Sequence, residues 1–214
     1  VPLTPDSIHL ALIAFGIIAT GGWIRISDAG ESCPDWPTCF GSWGFDISPE
    51  NQGKWWEENP DEIDSRGAEH RYTSDQIFTE WFHRLLAGVI LGPLVILNWL
   101  AIRRKEEASS TTKFGSSLAL VLIIWQGALG WLTVKIDNEQ WSVALHLSSA
   151  LAFILSLIWL WLCLNRDEGV KPSWLDFDPI LAYQWRNRLA WLGLCTFSSG
   201  CIGVFVATTP GANK

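Results

Sequence analysis

Five runs of this chain, at approximately 8–26, 77–102, 114–134, 141–164 and 189–207, are long and apolar enough for membrane helices. A helix needs about 20 mostly apolar residues to cross a hydrocarbon core of about 30 Å. The third, fourth and fifth runs contain no Asp, Glu, Lys or Arg. In lipid every backbone amide must be paired within the protein, so such runs have to be helical. The fold class expected is an all-α integral membrane protein. Composition agrees, since 49% of the 214 residues are hydrophobic and only 17% charged, against roughly a quarter charged in a soluble domain. The first run lacks a basic leader, and the chain continues through Arg25 without a small-residue cleavage site, so it reads as a true span rather than a signal peptide. With no Met and Val1 first, the sequence is expected to be a fragment or processed product. The net charge of −7, without a long basic tract, points to no nucleic-acid partner.

Lys and Arg in short loops mark the cytoplasmic side. Arg103, Arg104, Lys105 and Lys113 follow the second run, and Arg166, Lys171, Arg186 and Arg188 follow the fourth. The N-terminus is therefore expected inside, with segment 27–76 and the turn 135–140 outside. The long outer loop is acidic and holds Pro49, Gly53, Pro60 and Gly67, which suggests a solvated excursion with a short surface helix. Spans one to four should pack as an up-and-down four-helix bundle over residues 1–166. A cytoplasmic connector, 167–188, leads to a fifth transmembrane helix within 189–214. Gly203 and Gly211 repeat the spacing of Gly22 and Gly30, a hint of duplication in which the fifth helix starts a second, truncated bundle.

Ionisable groups inside membrane spans are functional candidates by default. Of the four histidines, His83 lies 19 residues before the inner end of its span and His146 lies 18 before the inner end of its own. Both spans run from outside to inside, so at about 1.5 Å per residue the two imidazoles share one depth. Two level histidines in one bundle suit the axial positions of heme iron. His9 and His70 read instead as interfacial side chains. Glu80 shares a helix face with His83, three residues on; it could orient the imidazole, exchange a proton or cap the helix start, and spacing favours the cap. A di-iron site would need a second Glu-x-x-His, and the chain has none.

Arg25, Arg84 and Lys135 cluster at the outer level. They are ordinary snorkelling residues, or, if a heme lies between the histidines, partners for its propionates. Cys33 and Cys39 flank a five-residue segment with two prolines in the outer loop, which favours a disulfide, as a structural staple or an exchangeable pair. Cys163, Cys195 and Cys201 fall inside spans and behave as small apolar residues.

Gly21-Gly22-Trp23-Ile24-Arg25, Cys33-Pro34-Asp35-Trp36-Pro37-Thr38-Cys39-Phe40-Gly41, Glu80-x-x-His83-Arg84, Gln126 through Lys135 and Ala144-Leu145-His146-Leu147 together resemble the heme A synthase family. The resemblance implies eight helices in two pseudo-symmetric bundles, of which this chain supplies the first plus the fifth helix. It implies oxidation of a heme O ring methyl to the formyl of heme A by successive hydroxylations, for terminal oxidase assembly. His83 and His146 would flank the heme O iron, Glu80 would be the required carboxylate, and Cys33 with Cys39 the outer disulfide. A heme B is expected in the second bundle. Lipid, heme O, a heme O synthase and the terminal oxidase assembly are the implied partners, with a homo-oligomer left open and a bacterial plasma membrane the expected location. The acidic stretch between Cys39 and Glu80 is longer than the resemblance leads one to expect. Two rival classes stand beside it. One is a bis-histidine membrane cytochrome that passes electrons; the other, ranked last, is a membrane thiol-disulfide oxidoreductase, which would want a second outer cysteine pair.

Overall fold

The computed structural model describes residues 6–170 and 178–207. Its regular structure is helical: α1 (Ser7–Ile26), α2 (Pro49–Glu58), α3 (Ser74–Arg84), α4 (Gly92–Arg104), α5 (Ser110–Lys135), α6 (Gln140–Asp167) and α7 (Pro179–Ala207). A π-helical stretch, Leu85–Leu91, joins α3 to α4. The three pieces make one 31-residue span, Ser74–Arg104, and with α1, α5 and α6 it gives four described helices long and apolar enough to cross a membrane. Over the fifth apolar run, α7 begins at Pro179, ahead of the expected 189.

The widened turn has a local cause. Pro93 has no N–H to return to the preceding turn and its ring crowds the carbonyl there, so the ladder loosens on its N-terminal side. Such π segments tend to occur at functional sites, and this one starts two residues after His83.

The four spans close a ring in which α1 packs on α6 and on the second span, and α5 packs between α4 and α6. Leu10, Ala14 and Ile17 of α1 recur at helical spacing and meet Leu91, Val95, Ala119, Phe153 and Leu157 in the shared core. Small residues allow the close approach that helices in lipid depend on. A Cβ on Gly115 would lie 3.3 Å from the Trp159 ring. Outward faces are apolar too, with Leu12, Phe15, Val121, Ile124 and Leu155 exposed. At the end away from the long loop, Asp167 accepts from Ser109 N at 2.8 Å and Thr112 Oγ1 at 2.6 Å, tying α6 to the start of α5. α7 lies against α6.

Segment 27–76 was expected to be a solvated excursion; up to the start of α3 at Ser74 it folds as a cap with its own core. Cys33, Cys39, Phe40, Ile47, Trp56 and Tyr72 bury together with Ile77 of α3. The expected short helix is α2, started by Ser48, whose side chain accepts from Asn51 N, and by Pro49 in the first turn. Gln52, fully buried, ties the cap by donating to Ile47 O at 3.1 Å and Tyr72 O at 3.0 Å and accepting from Tyr72 N at 2.9 Å. The α5–α6 turn joins in through Asn138, which donates to Gly30 O at 2.9 Å.

Candidate functional site

At the cap end of the bundle each of the four spans contributes to one level. α3 carries His83 and α6 carries His146, each within three turns of its cap-side start. α1 brings Thr20 and Gly21, with Thr20 Oγ1 2.9 Å from His83 Nδ1. α5 brings Gly130. A Cβ built on Gly21 would stand 3.3 Å from His83 Cε1, and one on Gly130 3.3 Å from His146 Cε1. Each imidazole therefore rests where the neighbouring helix has no side chain, a space that even alanine would fill. His146 Nδ1 is buried without a hydrogen-bond partner among the described residues. Two half-buried imidazoles, each beside a glycine and one with an unsatisfied ring nitrogen, are a donor set suited to a flat iron-centred ring.

Glu80 departs from the expectation that it caps its helix. The cap of α3 is Thr73, whose side chain accepts from Gln76 N while Gln76 reaches back to Thr73 N. Glu80 is 3% exposed. Its Oε2 accepts from Ser32 Oγ and Cys33 N, both at 3.0 Å, and its Oε1 pairs with Arg84 Nη2. His83 is held by Thr20 rather than by Glu80.

The three cations meet different surroundings. Arg84 donates to Asp35 O and Cys33 O besides pairing with Glu80, so its guanidinium is committed to the cap. Lys135 pairs with Glu62 at the surface, an exposed contact worth little. Arg25, exposed at the end of α1, has no ion pair among the described residues.

Cys33 and Cys39 form a disulfide, both residues at 1% exposure or less. Of the free cysteines, Cys163 is buried in the bundle, whereas Cys195 is exposed on α7. His9 is exposed at the far end of α1, and His70 stacks edge-on against Tyr72 in the cap. Neither joins the histidine pair.

Sequence reasoning missed Thr20, Gly21, Gly130 and Ser32. Both glycines lie within the motifs that carry the family resemblance, but nothing in a linear pattern says which helix face opposes an imidazole on another span.

The sequence pattern of the COX15-CtaA family, described as cytochrome oxidase assembly protein, matches residues 7–212. Relatives include the heme A synthase of Shewanella oneidensis, 31% identical over 146 residues that make up 68% of this chain and 41% of that protein. That of Erythrobacter litoralis is 32% identical over 73% of this chain and 50% of its own length. "Heme A synthase COX15" of Saccharomyces cerevisiae is 28% identical over 72% of this chain and 35% of its own. The chain thus spans about half the length, or less, of these relatives. No solved structure matches significantly.

Proposed function

From the premise that this integral membrane chain belongs to the cytochrome oxidase assembly protein family of the heme A synthases, we propose that its four-helix bundle is the site where heme O is oxidised. The ring methyl becomes a formyl group by successive hydroxylations, giving heme A for terminal oxidase assembly. The observation that carries this reading is the level pair of histidines, His83 on α3 and His146 on α6, each facing a glycine of the next helix. These two side chains hold the iron of the substrate heme. Arg25 is the cation free to meet a propionate, while Lys135 becomes available by releasing its surface pair with Glu62. Arg84 serves the substrate indirectly, by holding the cap down.

Glu80 is the carboxylate nearest in sequence to an iron ligand, and a proton acceptor close to a carbon under oxidation is the role proposed for it. Its three hydrogen-bonding partners in the cap favour the alternative, a bis-histidine cytochrome in which Glu80 only shapes the fold. The buried sulfurs of Cys33 and Cys39 speak for a staple and against thiol exchange.

In this proposal the substrate bundle lies within residues 1–166, and a cytoplasmic connector leads to α7 (Pro179–Ala207), the fifth helix, which opens a second bundle. The loop cations support an N-terminus in the cytoplasm and the cap outside; a bacterial plasma membrane and a heme O synthase as supplier are part of the same proposal and rest on the family. The test is heme extraction and mass analysis after expression with a heme O supply. Heme A from wild type, with heme O or a hydroxylated product accumulating in Glu80→Gln, supports the oxidase. Unmodified heme in the wild type sinks it in favour of the cytochrome.

A further inference from the structure

Thr20 has one hydroxyl hydrogen, and it is spent on Ile17 O at 2.8 Å, the back-bond threonine commonly makes in a helix. With that hydrogen on Ile17 O, its oxygen is the acceptor in the 2.9 Å contact with His83 Nδ1. Nδ1 then carries the proton, and the neutral ring keeps its lone pair on Nε2. His146 is placed differently, for its Nδ1 is buried and finds no partner among the described residues. The two imidazoles are chemically unequal. A ligating histidine whose second nitrogen donates a hydrogen bond is held in orientation and made more basic.

Resting on the proposed heme site, we infer that Thr20 is a positioning residue for iron ligation. It fixes His83 in the tautomer that ligates through Nε2 and makes His83 the firmer ligand, leaving His146 as the one that yields. The hydroxyl acts through His83 and touches no reacting atom. Its influence on the iron is electronic, because second-shell hydrogen bonding is one of the levers that set heme potential.

The test uses the 214-residue chain in detergent, loaded with heme O. Thr20→Val keeps the shape and removes the acceptor; Thr20→Ser keeps the acceptor. The expected result for Thr20→Val is a higher iron midpoint potential, a larger high-spin fraction and heme binding weakened by about tenfold, with Thr20→Ser returning all three to wild type. Thermal unfolding reports whether each variant is folded. A folded Thr20→Val with wild-type potential and spin state overturns the inference. The ligand pair gives an independent reading should Thr20→Val not fold: His146→Ala should retain heme longer than His83→Ala, and the reverse order overturns the inference. If both histidine variants bind heme O as wild type does, the heme site itself is wrong and the Thr20 assignment falls with it.

Discussion

Glu80 and Arg84, one helical turn apart on α3, grip the two sides of one peptide residue: Glu80 accepts from Cys33 N at 3.0 Å while Arg84 donates to Cys33 O. The pair also closes on itself, with the carboxylate side chain only 4% exposed and the guanidinium 15%. Breaking such a pair from one side leaves a charge without a partner where water is scarce, at a cost of about 3 kcal/mol. Glu80→Ala should lower the melting temperature in detergent by about 10 °C. Replacing both, as Glu80→Leu with Arg84→Leu, should recover part of that loss. Strictly additive single losses would show that the two do not act as a unit. Loss of heme oxidation in Glu80→Ala is thus not by itself a sign of proton chemistry. Glu80→Gln, which keeps acceptor shape, is the better probe.

The disulfide holds the other end of this clamp. Cys33 and Cys39 are six residues apart and both are buried, so the bridge closes a short loop and stabilises by about 2 kcal/mol. Cys33→Ser with Cys39→Ser should destabilise the cap and loosen Glu80. In the folded wild type, water-soluble reductant followed by an alkylating reagent should label these sulfurs far more slowly than after denaturation, read by mass. Equal rates would sink the staple and revive exchange.

Gly21→Ala and Gly130→Ala should each keep the bundle folded yet weaken heme binding. Each new methyl stands 3.3 Å from an imidazole carbon, so the ring must shift by a few tenths of an ångström. Overpacking of this kind costs about 1–3 kcal/mol, which corresponds to roughly tenfold or more in affinity if it falls on the bound state. Gly22→Ala, whose Cβ meets nothing within 4 Å, is the control. Equal heme affinity in all three would remove the glycines from the site.

Much of the fold was legible because lipid leaves the backbone one option. Run lengths placed the first four spans within a few residues, while α7 starts at Pro179, well ahead of the fifth run, and counting rise per residue pointed to His83 and His146 as a pair. What lay beyond reach depended on contacts between distant segments. The acidity of 27–73 read as solvation, since a core made from Cys33, Phe40, Ile47, Trp56 and Tyr72 has neither helical nor alternating period. Glu80 read as a cap because the competing Thr73–Gln76 box is recognised only once the true start of α3 is known. Arg84 read as a snorkelling residue or a propionate partner because, besides Glu80, its acceptors are carbonyls about 50 residues away, at Cys33 and Asp35.

A second buried carboxylate gives the cap a pH response. Glu31 is 6% exposed beneath the α5–α6 turn, accepting from Ser65 Oγ at 3.2 Å and Asn138 Nδ2 at 3.3 Å, with Arg66 Nε 3.6 Å away. Burial pushes its pKa above the ordinary value of 4.5; Arg66 and the two hydrogen bonds oppose that shift, and nearby Asp64 adds to it. A raised folded pKa means that the folded cap binds the proton more tightly than the unfolded chain. Stability from this group is therefore full below pH 4.5 and declines as pH rises towards the folded value. Melting followed from pH 4 to pH 7 should show this decline in wild type, and Glu31→Gln should flatten it while leaving the Arg66–Asp28 pair at 2.9 Å to hold the loop. An unchanged slope in Glu31→Gln would assign the pH response to other groups, Asp137 first, whose pKa burial also raises.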